Sequence, residues 1–346
     1  MAEQPLFLAP NLIRRPYRGG RRLAEFRGVD IGAEERVPED WLASTTSVFG
    51  KDGLGLTRLS DGTALKDAIE ADPAAFLGAE HVRVFGPDPA LLVKLLDAGQ
   101  RLSVHLHPDR AFARANLGAR YGKSEAWYIL AAEKGAVIHM GFREEIARSE
   151  LAAVVEAGNG ALLLGRMNAV AVEPGDMLFV PGGLPHAIGA GIFMVELQEP
   201  SDLLVRLEWS GYAVSGMPSD LGLGFARALD AVDRSAWSAA RLEGLWSRHG
   251  RTGGAALPEA AKAFFRLERA SRGDRLAPGF RVVVITAGQG AILCRGSATP
   301  VKSGECWLIP HAAGIASIEG DLEIVCCRPA DPASAQDADP EFLTYH

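Results

Sequence analysis

One phrase of turn and strand is written twice in this chain. Val172-x-x-Gly175-Asp176 with Pro181 five residues on returns as Val301-x-x-Gly304-Glu305 with Pro310, at an offset of 129 residues. Upstream, Tyr128-Ile129-Leu130 leading to Gly135 returns as Val283-Val284-Ile285 leading to Gly290, at an offset of 155. The difference of 26 residues is about the size of a helical interruption that follows Phe142 in the first copy. Both copies alternate short Val-, Ile- and Leu-rich runs with Gly and Pro turns at close intervals, which is how a small antiparallel barrel reads. The repeat predicts a mainly β chain of two double-stranded β-helix barrels, the first carrying a helical insertion over about 143–166.

Around that frame the periodicity sets the remaining elements. Leu65 and Ile69, with Ala68 and charges between them, predict a short helix ending near Asp72-Pro73. Leu91 to Asp97 is a continuous apolar run of buried-strand length, although Lys94 stands inside it. Apolar positions between Leu221 and Trp246 predict two helices, joined to the second barrel by the Gly-rich stretch Gly250–Gly254. The expected division is an N-terminal, site-bearing region over 1–215, a helical connector over 216–260 and a C-terminal barrel over 261–346.

Candidate chemistry concentrates in the first copy. His105 and His107 lie two apart on an extended segment and therefore project from one face. Glu125 opens the apolar run Trp127-Tyr128-Ile129-Leu130, and the turn Pro181-Gly182-Gly183-Leu184-Pro185 delivers His186. Taken singly, each histidine is as readily a core or surface residue as a ligand. Together, three imidazoles and a carboxylate suit zinc or another first-row divalent ion with a position left for water or substrate. The second copy is chemically silent: Ile315 stands where His186 would recur, and His311 is alone. On Phe193–Gln198, alternation separates Phe193, Val195 and Leu197 from Met194, Glu196 and Gln198, and on Leu204–Trp209 it sets Arg206 with Leu204 and Glu208. Alternation alone leaves open whether Glu196 and Arg206 face solvent or an interior.

The segments Leu102-Ser103-Val104-His105-Leu106-His107-Pro108-Asp109, Gly122-Lys123-Ser124-Glu125-Ala126-Trp127-Tyr128, Val180-Pro181-Gly182-Gly183-Leu184-Pro185-His186 and Glu196-Leu197-Gln198-Glu199-Pro200-Ser201-Asp202 resemble, in order, the motifs of type I phosphomannose isomerases, best in their short bacterial form. The resemblance covers about residues 5 to 210 with specific motifs and the remainder weakly. It implies a zinc-dependent bicupin enzyme that interconverts mannose 6-phosphate and fructose 6-phosphate through an enediolate. It also implies His107, Glu125 and His186 as ligands, with His105 standing where the family has glutamine. Arg206 is expected to stabilise the enediolate. Lys123 and Glu196 compete for the proton shuttle, and Ser103 and Arg18 are expected to bind substrate. Arg18 stands where the family's Trp-Gly-Gly motif has its tryptophan, and Trp41 matches a strand that packs near the site.

Composition limits the alternatives. A net charge of −7 with dispersed Lys and Arg argues against a nucleic-acid surface. No stretch is apolar for the length of a membrane span. The N-terminal residues lack signal-peptide character, and Cys294, Cys306, Cys326 and Cys327 show no C-x-x-C spacing. A cytoplasmic protein with reduced thiols and a small sugar-phosphate partner is the expectation. The rivals are an isomerase of another sugar, phosphorylated or not, and a metal- or sugar-binding cupin regulator without turnover. Retention of Lys123, Glu196 and Arg206 favours an enzyme.

Overall fold

The computed structural model describes residues 2–213, 220–248 and 257–338, with the backbone alone for 336–338. The expected linker Gly250–Gly254 and the boundary at 215 lie outside the described residues. Three antiparallel sheets carry the fold. In the first, the strands Val205–Arg206, His105–Leu106, His186–Ile188, Val137–Phe142 and Met167–Ala171 lie side by side. The second runs Trp246–Ser247, Met177–Val180, Glu125–Ala132, Ile192–Gln198, Leu92–Ala98, Glu39–Leu42 and Leu12–Ile13. These two enclose the site.

Every residue of Leu92–Ala98 and Ile192–Gln198 is buried, because both faces of the second sheet are covered. Glu196 and Lys94 point into the site cavity. On the other face, Phe193 meets Phe26 with ring centroids 5.5 Å apart, and two strands along Phe179 meets Phe264 at 5.6 Å and Phe265 at 6.1 Å. One apolar cluster thus runs from Trp127 and Val195 of the second sheet to Phe265, Val282 and Leu308 of the third.

The third sheet is the C-terminal unit, built on two 14-residue strands, Arg281–Cys294 and Ala316–Pro329. It also takes in Leu6–Phe7, which pair with Trp307 and Leu308, so the start of the chain completes the C-terminal sheet rather than the N-terminal one.

The written repeat is a structural repeat. Gly175 and Gly304 have φ of 88° and 87°, a region that a side chain disfavours. Gly175 donates to the Ile129 carbonyl at 2.8 Å while Ile129 donates to that of Asp176 at 2.9 Å; Gly304 and Ile285, with Glu305, repeat the exchange at 3.0 and 3.0 Å. Ile129 therefore matches Ile285, one residue beyond the match that the letters suggest.

The insertion forms as two helices, Arg148–Glu156 and Gly160–Arg166, with Gly158 at φ 63° between them. Leu65–Ala71 is helical as expected, and Pro73 starts a second short helix capped by Asp72. The two helices expected between Leu221 and Trp246 do not form at that length. Only Phe225–Ala228 and Ala239–Glu243 are α-helical, with a 3-10 turn at Leu229–Ala231. Gly222 and Gly224 hold positive φ before the first, and Val232 is extended after the turn. Trp246, expected in a helix, pairs as a strand with Leu178. No described helix is long and apolar enough to cross a membrane.

Candidate metal centre and active site

Strand register assembles the site. His105 sits opposite His186 on one side and opposite Arg206 on the other, and directly paired residues in a sheet share a face. His107 joins them by its two-residue spacing. The turn that carries His186 needs its glycines. Gly183 has φ 87° and donates to the His107 carbonyl at 2.7 Å. Gly182 lies so close to Asp109 that a Cβ would stand 2.7 Å from its Cα. Asp109 itself caps the helix Arg110–Leu117 by accepting from Phe112 N at 2.7 Å.

The three imidazoles are buried and mutually close, with candidate ligand nitrogens within 4.8 Å of one another. Each Nδ1 faces a backbone carbonyl: His105 that of Ser103 at 2.6 Å, His107 that of Leu203 at 2.7 Å, and His186 that of Leu184 at 2.9 Å. Carbonyls only accept, so Nδ1 carries the proton and each Nε2 carries the lone pair that a metal would take. The Nε2 of His186 is buried without a hydrogen-bond partner. Glu125 lies 3.3 Å from His107 Nε2 and 3.2 Å from His186 Nε2. Burial, followed by the His186 and His107 rings, holds the His105 imidazole well below its ordinary pKa, and burial with Lys123 brings His107 down to about 4. Both are neutral, as metal ligation requires. Burial pushes the Glu125 carboxyl up, but the Lys123 ammonium beside it outweighs this and holds it well below the ordinary carboxylate range. This donor set fits a divalent first-row ion.

Acid and base groups surround the cluster. Lys123 Nζ lies 2.7 Å from His107 Nε2, 2.8 Å from Glu125 and 3.5 Å from Glu196. Burial lowers its pKa and the carboxylates raise it, for a net rise. Glu196 is pushed up to about 7, chiefly by burial, and its Oε2 has no hydrogen-bond partner. Of the faces that alternation separated, the one bearing Glu196 is the inner one, and Leu204 and Arg206 line the same cavity while Val205 and Leu207 pack in a separate apolar cluster. Arg206 does not take Glu208, which binds Arg101 through two bonds of 2.7 Å and Val104 N at 2.9 Å. Ser103 is buried and lines the cavity.

The opposite wall holds groups that the sequence did not mark. Arg15 grips Asp202 with two bonds of 3.1 and 2.7 Å and lies 2.9 Å from Glu39. Glu39 accepts from Tyr17 at 2.7 Å and from Trp41 Nε1 at 2.8 Å. Burial pushes the Glu39 carboxyl up, but Arg15 and Lys94 outweigh it and bring it down to about 2. Lys94 is 2% exposed, 3.7 to 3.9 Å from Glu39, Glu196 and Asp202, and 4.8 Å above the Trp41 ring. A lysine inside a run of leucines and valines was the available signal, since a buried ammonium needs counter-charges.

Arg18 requires a correction. Expected at the mouth, it lies outside this cavity and lines a separate cleft with Arg21 and Glu35. Its backbone N–H donates to the Gln100 side chain at 3.0 Å. The chain bends at Pro16 and Tyr17, the last two of four consecutive residues that line the cavity, and Arg18 lies beyond that bend. In the interior of the cavity four basic side chains, Arg15, Lys94, Lys123 and Arg206, face four acidic ones, Glu39, Glu125, Glu196 and Asp202.

The Glu196–Asp202 segment also secures the one bearing Lys123 and Glu125. Glu199 accepts from Ser124 N at 2.9 Å and from Arg110 at 2.5 Å, and Ser201 Oγ donates to the Gly122 carbonyl at 2.5 Å.

Imidazoles held this way between two sheets of a barrel define a cupin with a buried three-histidine group able to hold a metal ion. The chain is 30% identical over 336 residues to the mannose-6-phosphate isomerase of Streptococcus mutans, spanning 94% of this chain and 98% of that one, and it belongs to the mannose-6-phosphate isomerase family. No family model matches the chain. The crystal structure of the Bacillus subtilis mannose 6-phosphate isomerase has the same fold, with a TM-score of 0.71 at 23% identity over 94% of this chain and 99% of that one. So has a mannose 6-phosphate isomerase bound with zinc and yttrium, with a TM-score of 0.71 at 16% identity over 94% and 100% of the two chains.

Proposed function

We infer that the chain is a metal-dependent aldose-ketose isomerase acting on mannose 6-phosphate and fructose 6-phosphate. The observation that carries this reading is the convergence of three metal-ready imidazoles with Lys123, Glu196 and Arg206 in one cavity. His105, His107, His186 and Glu125 would hold the ion, with zinc favoured by the donor set and by the zinc-bound relative. When bound, the ion supplies a Lewis acid for the sugar oxygens.

The remaining steps fall to this chain's own side chains. Isomerisation moves a proton between C1 and C2 of the sugar by way of an enediolate. Glu196 offers a buried carboxylate oxygen without a hydrogen-bond partner on the cavity wall, and it is the better-placed shuttle. Lys123 is engaged with Glu125 at 2.8 Å, which suits it to orienting that carboxylate. Arg206, one strand from His105, directs a permanent positive charge toward developing enediolate oxygens. Ser103 and Lys94 complete the polar lining. The C-terminal sheet contributes no residue to the metal group and serves as a structural partner, backing the second sheet through Phe264 and Phe265.

A coupled assay with mannose 6-phosphate, run with metal and with a chelator, tests this reading. Turnover that chelation abolishes and added zinc restores is expected. A folded, metal-loaded protein that leaves mannose 6-phosphate unchanged would overturn it.

A further inference from the structure

We propose that Lys51 and Arg14 form the phosphate subsite at the mouth of this cavity, a proposal that rests on the functional reading above. Inside the cavity Arg15 and Lys94 are committed to Glu39 and Asp202, and Lys123 to Glu125, so these cations are already matched by carboxylates. The rim holds two more cations: Lys51 and Arg14 line the same cavity, and among the described residues no further carboxylate lines it. Lys51 has no ion-pair partner among the described residues. Arg14 pairs with Glu34, but Glu34 lines a different cleft and the Arg14 side chain is 74% exposed, so that contact yields readily to a doubly charged ligand. A cationic rim is no general property of this chain, whose net charge is −7.

Lys51 is placed by a built turn. Lys51 N donates to the Val48 carbonyl at 2.9 Å, Val48 N to that of Leu54 at 2.8 Å, and Gly50 supplies φ 72°. The turn is moored to the cavity wall, because Phe49 N donates to Asp202 at 3.2 Å and Asp202 is held by Arg15. Lys51 is thus fixed at the edge of the cavity that Lys94 and Glu196 also line. A sugar phosphate entering sugar-first would leave its phosphate at this rim.

Calorimetric titration of the metal-loaded full chain with mannitol 6-phosphate tests the subsite. This alditol has no carbonyl and cannot isomerise, so affinity is read without turnover. Saturable binding by the parent is expected, with Lys51→Ala and Arg14→Ala each weakened on the order of tenfold, the worth of one charge-assisted hydrogen bond. Lys51→Arg should bind like the parent, as should Lys66→Ala, a loss of surface charge on the helix Leu65–Ala71. Circular dichroism establishes that each variant is folded. Parent-like affinity in either alanine variant at the rim overturns the two-residue subsite, as does an equal loss in Lys66→Ala or no saturable binding by the parent. A parent that isomerises while both rim variants bind normally sinks the subsite alone. A parent without isomerase activity sinks the functional reading, and the binding series still decides the subsite.

Discussion

Arg206 shows how much of the chemistry depends on the setting of single side chains. Its strand neighbour is His105, and the carboxylate beside it in sequence, Glu208, is committed to Arg101. If its charge is matched to the enediolate rather than to bound sugar, the loss on removal belongs in kcat. Arg206→Ala is expected to lower kcat by on the order of 10²- to 10³-fold while metal content stays at the parental level. Steady-state kinetics with elemental analysis decide this, and a near-parental kcat would remove Arg206 from the catalytic set. Glu39 makes a prediction about pH. Its folded pKa of about 2 lies below the ordinary 4.5, so the unfolded chain binds more protons between those values. The stability it contributes is therefore complete above about 4.5 and is lost as pH falls through about 2, with roughly 3 kcal/mol at stake. Denaturant unfolding of the parent and Glu39→Gln should show a gap at pH 6 that narrows at pH 3. A gap independent of pH would contradict the assignment.

At the scale of elements, the metal group depends on two segments that touch through backbone. The turn Pro181–Pro185 and the segment Gly122–Glu125 both close on Asp109, where a Cβ on Gly122 would stand 2.5 Å from the Asp109 carbonyl carbon and one on Gly182 would stand 2.7 Å from its Cα. Backbone cannot retreat as a flexible side chain can, so Gly182→Ala must displace the turn that delivers His186. Metal affinity should fall by about 10- to 100-fold, as for other losses of support around a metal ligand. Far-UV circular dichroism should remain parental, and a metal titration that matches the parent would show that the turn tolerates the methyl. His186→Ala should lose the metal outright, whereas His105→Gln should keep it, which elemental analysis of both variants checks.

Over the whole molecule, a metal held as proposed would tie together strands from both sheets of the barrel. His105 and His186 come from the first sheet, and Glu125 from the second. Binding to the folded chain alone stabilises it by mass action, by about 4 kcal/mol when free metal is a thousandfold above its Kd. Chelation should accordingly lower Tm, and the drop should grow with the metal concentration of the reference sample. Calorimetric scans that coincide with and without chelator would argue against a metal spanning the sheets.

Local chemistry alone determined a good deal. The period-2 runs, the positive-φ glycines at 175 and 304 and the repeated turn made a two-barrel β architecture legible, because each is dictated by backbone sterics within a few residues. His105 and His107 shared a face for the same reason, and the helical insertion was visible in its own periodicity. Pairing partners were not legible. That His105 stands opposite both His186 and Arg206, that Leu6–Phe7 complete the C-terminal sheet, and that Ile129 matches Ile285 are matters of register between distant strands. Arg15, Glu39, Lys94 and Asp202 belong to the same class, since each is an ordinary charged residue until the fold buries it beside the others. Arg18 and Arg15 exchanged places for the converse reason: the sequence carries two arginines three residues apart, and only packing against the second sheet decides which one turns inward. Short-range sterics select the elements, whereas the charges that make a site act through space, and only the closed barrel brings them within range of one another.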